Sequence, residues 1–241
     1  MTLSLLIRGL LRRELAPRAF APALVIAAAA GAALAIMAVR MDSAPGVAQL
    51  VVQGDRTLAG VFVIVTVFRV IGRLTDDAGR AWPLQLVAAG AARPIYVTAV
   101  MITAASASLL SYLAGAWTFA GVAAAAGGSP ATAVRAVATL PLVALMIFCA
   151  SAFGAATFCA VGDAAARPLA VAIIVLPWIL ISIFAISAGD ASSFTIVRIA
   201  SLPAPPLMVT PGVRDVGRLM MYAGVAFALA AAASERRVAR L

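Results

Sequence analysis

Apolar runs close to the length that crosses a bilayer recur along this whole chain, separated by short breaks that carry arginine, proline and glycine. A helix needs roughly 20 apolar residues to cross about 30 Å of hydrocarbon. Charged residues make up 11% of the chain, against about 25% in soluble domains. The expected fold is therefore all-α, a polytopic membrane protein. No break is long enough for a separate soluble domain, so residues 1–241 are read as one transmembrane domain.

Six spans are expected, over residues 20–39, 58–71, 97–120, 137–161, 169–187 and 216–233. Ahead of them, residues 3–15 place Leu3, Leu6, Ile7, Leu10 and Leu11 on one side of a helix and Ser4, Arg8 and Arg12 on the other. That spacing, with Arg13 beside it, predicts an amphipathic helix lying in the headgroup layer. Pro17 and Pro22 are expected to separate it from the first span. That first run is long enough to span and should stay attached rather than act as a cleaved signal. Residues 40–56 read as a loop, and the short second span is expected to be relieved by Arg69 snorkelling to the surface one turn from Arg73. Gly127-Gly128-Ser129-Pro130 marks a turn, Pro141 falls near the start of the fourth span, residues 162–168 form a tight connection, and Pro177 predicts a kink in the fifth. Residues 188–212 are too polar and proline-broken to span, so a re-entrant or surface-lying helix over 194–202 is expected between spans five and six.

The formal net charge of +9 would suggest nucleic acid in a soluble protein. Here the arginines flank apolar spans, where they meet lipid phosphates and set orientation, so membrane lipid is the expected partner and nucleic acid is not. Of the 18 basic residues, Arg8, Arg12, Arg13, Arg18, Arg69, Arg73, Arg80, Arg93, Arg167, Arg236, Arg237 and Arg240 fall on one side of a six-span layout. The smaller set, Arg40, Arg56, Arg135, Arg198, Arg214 and Arg218, falls on the other. The positive-inside bias then puts both termini in the cytoplasm.

Every basic residue is arginine, since lysine and histidine are absent. That excludes a Walker lysine, a Schiff base, an imidazole base and histidine metal ligands. Cys149 and Cys159 fall in one apolar run about 15 Å apart along a helix, too far to pair, and read as packing residues. Ser106, Ser108 and Ser111 have no base to activate them as nucleophiles and are expected to bond backbone carbonyls. Trp82, Trp117, Trp178, Met220 and Met221 read as packing or interface anchors. No carboxylate falls at a span centre, which disfavours proton or sodium coupling. No catalytic residue, metal site or cofactor is assigned.

Polarity concentrates between spans two and three, from Arg73 to Tyr96: Asp76, Asp77, Gly79 and Arg80, then Leu84-Gln85-Leu86, Gly90, Ala91 and Arg93. A charged cluster there must meet water or a soluble partner. With the interfacial helix and the six spans, this layout resembles the permease subunits of ABC-2 type exporters. In that family an acidic pair or Glu-rich run, a glycine, a Leu-rich turn and a small residue with arginine and an aromatic or leucine precede span three. The match covers the whole chain as a layout and about 25 residues as a motif. Arg80-Ala81-Trp82-Pro83 departs from it, standing where the family has a Thr-Leu-Glu-like helical run, although Pro83 suits the first turn of a short helix. The haem-exporting, cytochrome c maturation branch shares the Asp-Asp, Gly and Leu pattern and a leucine-proline in span five, here Leu176-Pro177, and is one subfamily option.

The resemblance implies a permease in a bacterial inner membrane, coupled to a separate cytoplasmic ABC ATPase that would hold ATP and magnesium. Asp76, Asp77, Gly79, Arg80 and Arg93 would form the main coupling contact, and Asp163 with Arg167 a minor one. A second copy or a related permease would complete the path, and export is the direction the resemblance gives. The apolar lining favours a lipidic or amphipathic cargo, with lipid, drug, peptide, haem and glycan all open and no substrate residue assigned. The alternatives are an ATPase-independent channel or transporter and a membrane-embedded assembly subunit.

Overall fold

A computed structural model describes residues 3–40, 47–79, 92–125, 131–162, 164–173 and 213–238. Among them every regular element is an α-helix: α1 (Leu3–Glu14), α2 (Pro17–Arg40), α3 (Val47–Gly79), α4 (Arg93–Ala125), α5 (Ala131–Val161), α6 (Ala164–Ile173) and α7 (Val213–Val238). Five contain stretches long and apolar enough to cross a membrane: Phe20–Met37, Leu58–Gly79, Arg93–Ala125, Thr139–Val161 and Val216–Glu235. These features are those of a helical membrane protein.

Three of the five form the centre. The stretches in α3, α4 and α5 are 56%, 61% and 67% buried, whereas those of α2 and α7 are 17% and 22% buried. The outer two helices thus present most of their apolar surface outward, as Val25, Ile26, Met220 and Met221 show. α2 packs chiefly on α4, and α7 chiefly on α5. α3 and α4 run antiparallel, with Leu58 beside Gly115 and the Phe62 ring edge-on to Tyr112 at 6.0 Å and 81°. α5 and α7 run in the same direction. Leu219 and Ala223 share a cluster with Met146 and Cys149, and Ala226 and Ala230 share the next with Ala156 and Cys159. Both cysteines are buried packing residues, each in a different cluster.

Helix boundaries differ from those expected in the polar breaks. Residues 47–56 are helical, and α3 continues through Asp76 and Asp77 to Gly79. Charge alone does not break a helix, and residues 73–78 contain neither glycine nor proline. Pro17 opens α2, where its missing N–H costs nothing, so Pro22 lies inside that helix and not in a linker. Pro141 lies well inside α5. The tight connection shrinks to Gly162 and Asp163, the latter outside the described residues, so Arg167 and Pro168 belong to α6. Gly162 has φ 89°, a left-handed conformation that closes a helix and favours glycine. Its amide donates to the Phe158 carbonyl and its own carbonyl accepts from Ala166, each at 3.0 Å. Most of the expected fifth span, the Pro177 kink, the helix over 194–202 and the Gly127–Pro130 turn lie outside the described residues.

α1 follows the expected pattern. Leu6 and Leu10 are buried against Val70, Leu74, Tyr96 and Val97, while Ser4, Arg8 and Arg12 are exposed. Two buried leucines at helical spacing therefore dock α1 across α4 beside the C-terminal end of α3.

Candidate functional site

Asp77 is fully buried, at the C-terminal end of α3, where the helix dipole disfavours a carboxylate. Three donors from three helices compensate. Arg13, in the last turn of α1, donates Nη1 to Oδ1 at 3.2 Å. Tyr96, in the first turn of α4, donates its hydroxyl to Oδ2 at 2.6 Å. Arg73, one turn earlier on α3, holds Nε 3.0 Å from Oδ2. That last distance makes an ion pair, but the N–H is out of line for a hydrogen bond, and Nε counts among the buried unbonded donors. Arg73 also brings Nη1 within 3.7 Å of Glu14 Oε1. A buried carboxylate is tolerable only with such pairing.

The sequence places Arg69, Arg73 and Asp77 four residues apart, so they share one face of α3. Arg69 is half-buried and the Arg73 side chain is only 9% exposed. Arg69, the residue expected to snorkel, is thus partly exposed, whereas acidic partners on α1 and α3 hold Arg73 inside.

The residues expected to form the coupling contact separate. Asp76 is exposed while its neighbour Asp77 is buried, because consecutive helix residues point about 100° apart. Gly79 is exposed, with open space where a Cβ would stand. Arg93 donates Nη1 to the Glu235 carbonyl at 3.1 Å, one of the last four acceptors of α7, which lack a partner in their own helix. Arg167 is exposed on α6 and brings Nη2 4.0 Å from where a Cβ on Gly72 would stand. Arg80 and Asp163 lie outside the described residues. The end of α3, the start of α4, α1, the start of α6 and the end of α7 thus gather at one end of the bundle.

Sequence reasoning did not single out Arg73, Tyr96 or Glu14 as partners of this site. The Arg73–Asp77 spacing was an available signal, whereas Arg13 and Asp77, 64 residues apart, gave none. Within the bundle, Ser106 and Ser111 donate to the carbonyls of Ile102 and Ala107 as expected. Ser108 differs: its hydroxyl is buried with no hydrogen-bond partner among the described residues. No three His, Cys, Asp or Glu side chains among the described residues converge as metal ligands. Comparison with family models, characterised proteins and solved structures gives no match.

Proposed function

We propose that this chain is the transmembrane permease subunit of an ATP-binding-cassette exporter, with the α3–α4 connection as its contact for a cytoplasmic ATPase. The supporting observation is the division of labour between adjacent aspartates. Asp77 is locked to α1 and α4, so Asp76 and Gly79 are presented on a braced helix end rather than on a free loop. A push on that end would reach α1 and α4 together. Asp76 is then the contact residue and Asp77 a positioning residue, with Arg93 tying α4 to the end of α7 and Arg167 on the neighbouring face.

Six crossings fit this proposal. α5 and α7 run toward the same end, and in this reading the chain between them would return across the bundle. α6 starts that return, with Ala166 and Ala170 packed among Ile71, Val67 and Val63 of α3. The arginine bias would put the gathered end, and both termini, in the cytoplasm of a bacterial cell. A second permease copy would supply the rest of the route.

The test is purification of the tagged chain in mild detergent and measurement of any ATPase that accompanies it. A soluble Walker-motif subunit is expected, with hydrolysis that falls several-fold on Asp76→Arg while the complex stays assembled. Unchanged hydrolysis in an assembled complex would remove Asp76 from the contact. Absence of an ATPase, under conditions that preserve membrane complexes, would move the assignment to an ATPase-independent channel or an assembly subunit.

A further inference from the structure

Asp77 has its two oxygens occupied by three groups, but Arg73 has more donors than acceptors. A guanidinium carries five N–H groups in a rigid fork. For Arg73 these meet one misaligned oxygen at 3.0 Å and one distant oxygen at 3.7 Å. Nη2 is buried and meets no acceptor among the described residues. Buried donors on a charged group are costly to leave unbonded. Among the described residues the local charge is unbalanced in the same sense, since Arg13 and Arg73 pair with Asp77 and Glu14 while Arg69 lies one turn before Arg73 on the same face. Arg167 adds a further guanidinium beside Gly72, the residue preceding Arg73.

We propose that this end of α3 binds the phosphate of an anionic phospholipid, held by Arg73 Nη2 and by Arg69. The chemistry selects a phosphate, which accepts the planar guanidinium fork with two oxygens at once. The position selects a lipid as its source. Arg69 and Arg73 lie inside the apolar stretch Leu58–Gly79, and α1 beside them buries Leu6 and Leu10 while exposing Arg8 and Arg12. In this proposal that end of the bundle sits at the depth of the headgroup layer. The surplus positive charge favours a headgroup with net negative charge over a zwitterionic one. The site is independent of the transport assignment, since it needs neither ATPase nor cargo.

The full-length protein, purified in neutral detergent, would be given phosphatidylglycerol or phosphatidylcholine in mixed micelles at fixed ionic strength. Lipid retention would be read by native mass spectrometry and thermal unfolding in parallel. Phosphatidylglycerol should be retained preferentially and raise the unfolding temperature. Arg69→Gln and Arg73→Lys should each weaken that retention about tenfold, the loss expected for one charged hydrogen bond. Arg69→Gln leaves every donor of Asp77 in place, so its folded state in phosphatidylcholine serves as the control for misfolding. Arg8→Gln should leave retention unchanged. Equal retention of the two lipids, or equal losses in Arg8→Gln and Arg69→Gln, would overturn the site in favour of diffuse surface charge. If inorganic phosphate added to phosphatidylcholine micelles reproduced the whole stabilisation, the ligand would be free phosphate and the lipid assignment would fall.

Discussion

Where α2 crosses α4 the helices meet backbone to backbone; where α1 meets α3 and α4 a charged clasp stands beside the Leu6 and Leu10 contacts. At the first junction a Cβ on Gly31 would overlap the Gly115 carbonyl oxygen, and a Cβ on Gly115 would stand 3.0 Å from the Ala27 carbonyl oxygen. No side chain fits between, and the flanking Ala27 and Ala35 are buried on an otherwise outward-facing helix. Lipid tails are as apolar as leucine, so helices within the membrane gain from close contact rather than from leaving water. At the second junction long side chains reach to one buried carboxylate. Shape holds a spanning helix at its crossing point, whereas a non-spanning helix at the end of the bundle is held by apolar contact and by charge together.

The largest effect should come from Asp77→Asn. It leaves Arg73 buried without its main counter-charge, and breaking one side of a buried pair costs about 3–5 kcal/mol. Thermal or denaturant unfolding in detergent would measure it, and a loss under about 1 kcal/mol would mean the clasp is solvated like a surface ion pair. Gly31→Ala comes next, near the upper end of the about 1–3 kcal/mol typical of overpacking, because the obstructing atom is backbone and cannot rotate away. A neutral Gly31→Ala, with α2 still protected from proteolysis, would show that the crossing loosens without cost.

Tyr96→Phe should be milder, about 1.5 kcal/mol for one hydrogen bond to a charged acceptor, since two guanidiniums stay beside Asp77. The smallest expected effect is the coupling between the junctions. They fall in different core clusters, so Gly31→Ala and Asp77→Asn should add to within about 0.5 kcal/mol. Tyr96→Phe combined with Asp77→Asn should instead cost less than the sum. A large coupling across the first pair would join the junctions into one unit and end the comparison.

Part of the charged junction was legible. Leu6 and Leu10 opposite Arg8 and Arg12 predict an amphipathic α1 in the headgroup layer, and the structure adds that its apolar side docks on Val70, Leu74, Tyr96 and Val97. The acidic pair drew notice because charge is scarce. Polarity between spans two and three reads as a loop, however, and α3 continues into it as far as Gly79, since backbone hydrogen bonding along a helix is indifferent to whether its side chains face lipid or water. That continuation fixes which aspartate turns inward.

By itself, the sequence determined the class of this protein and the approximate position of its apolar helices, because hydropathy is a sum over neighbours along the chain. The exclusions also belong to sequence: with no lysine and no histidine, whole chemistries are absent wherever the chain goes. Only the tertiary structure decided that Asp77, and not Asp76, is the buried acid, that Arg13 and Tyr96 bond it, that Arg73 is left with a spare donor, and that Gly31 meets Gly115. Each of these depends on the rotation of one helix against another, and that rotation is set by many packing contacts between residues far apart in the chain.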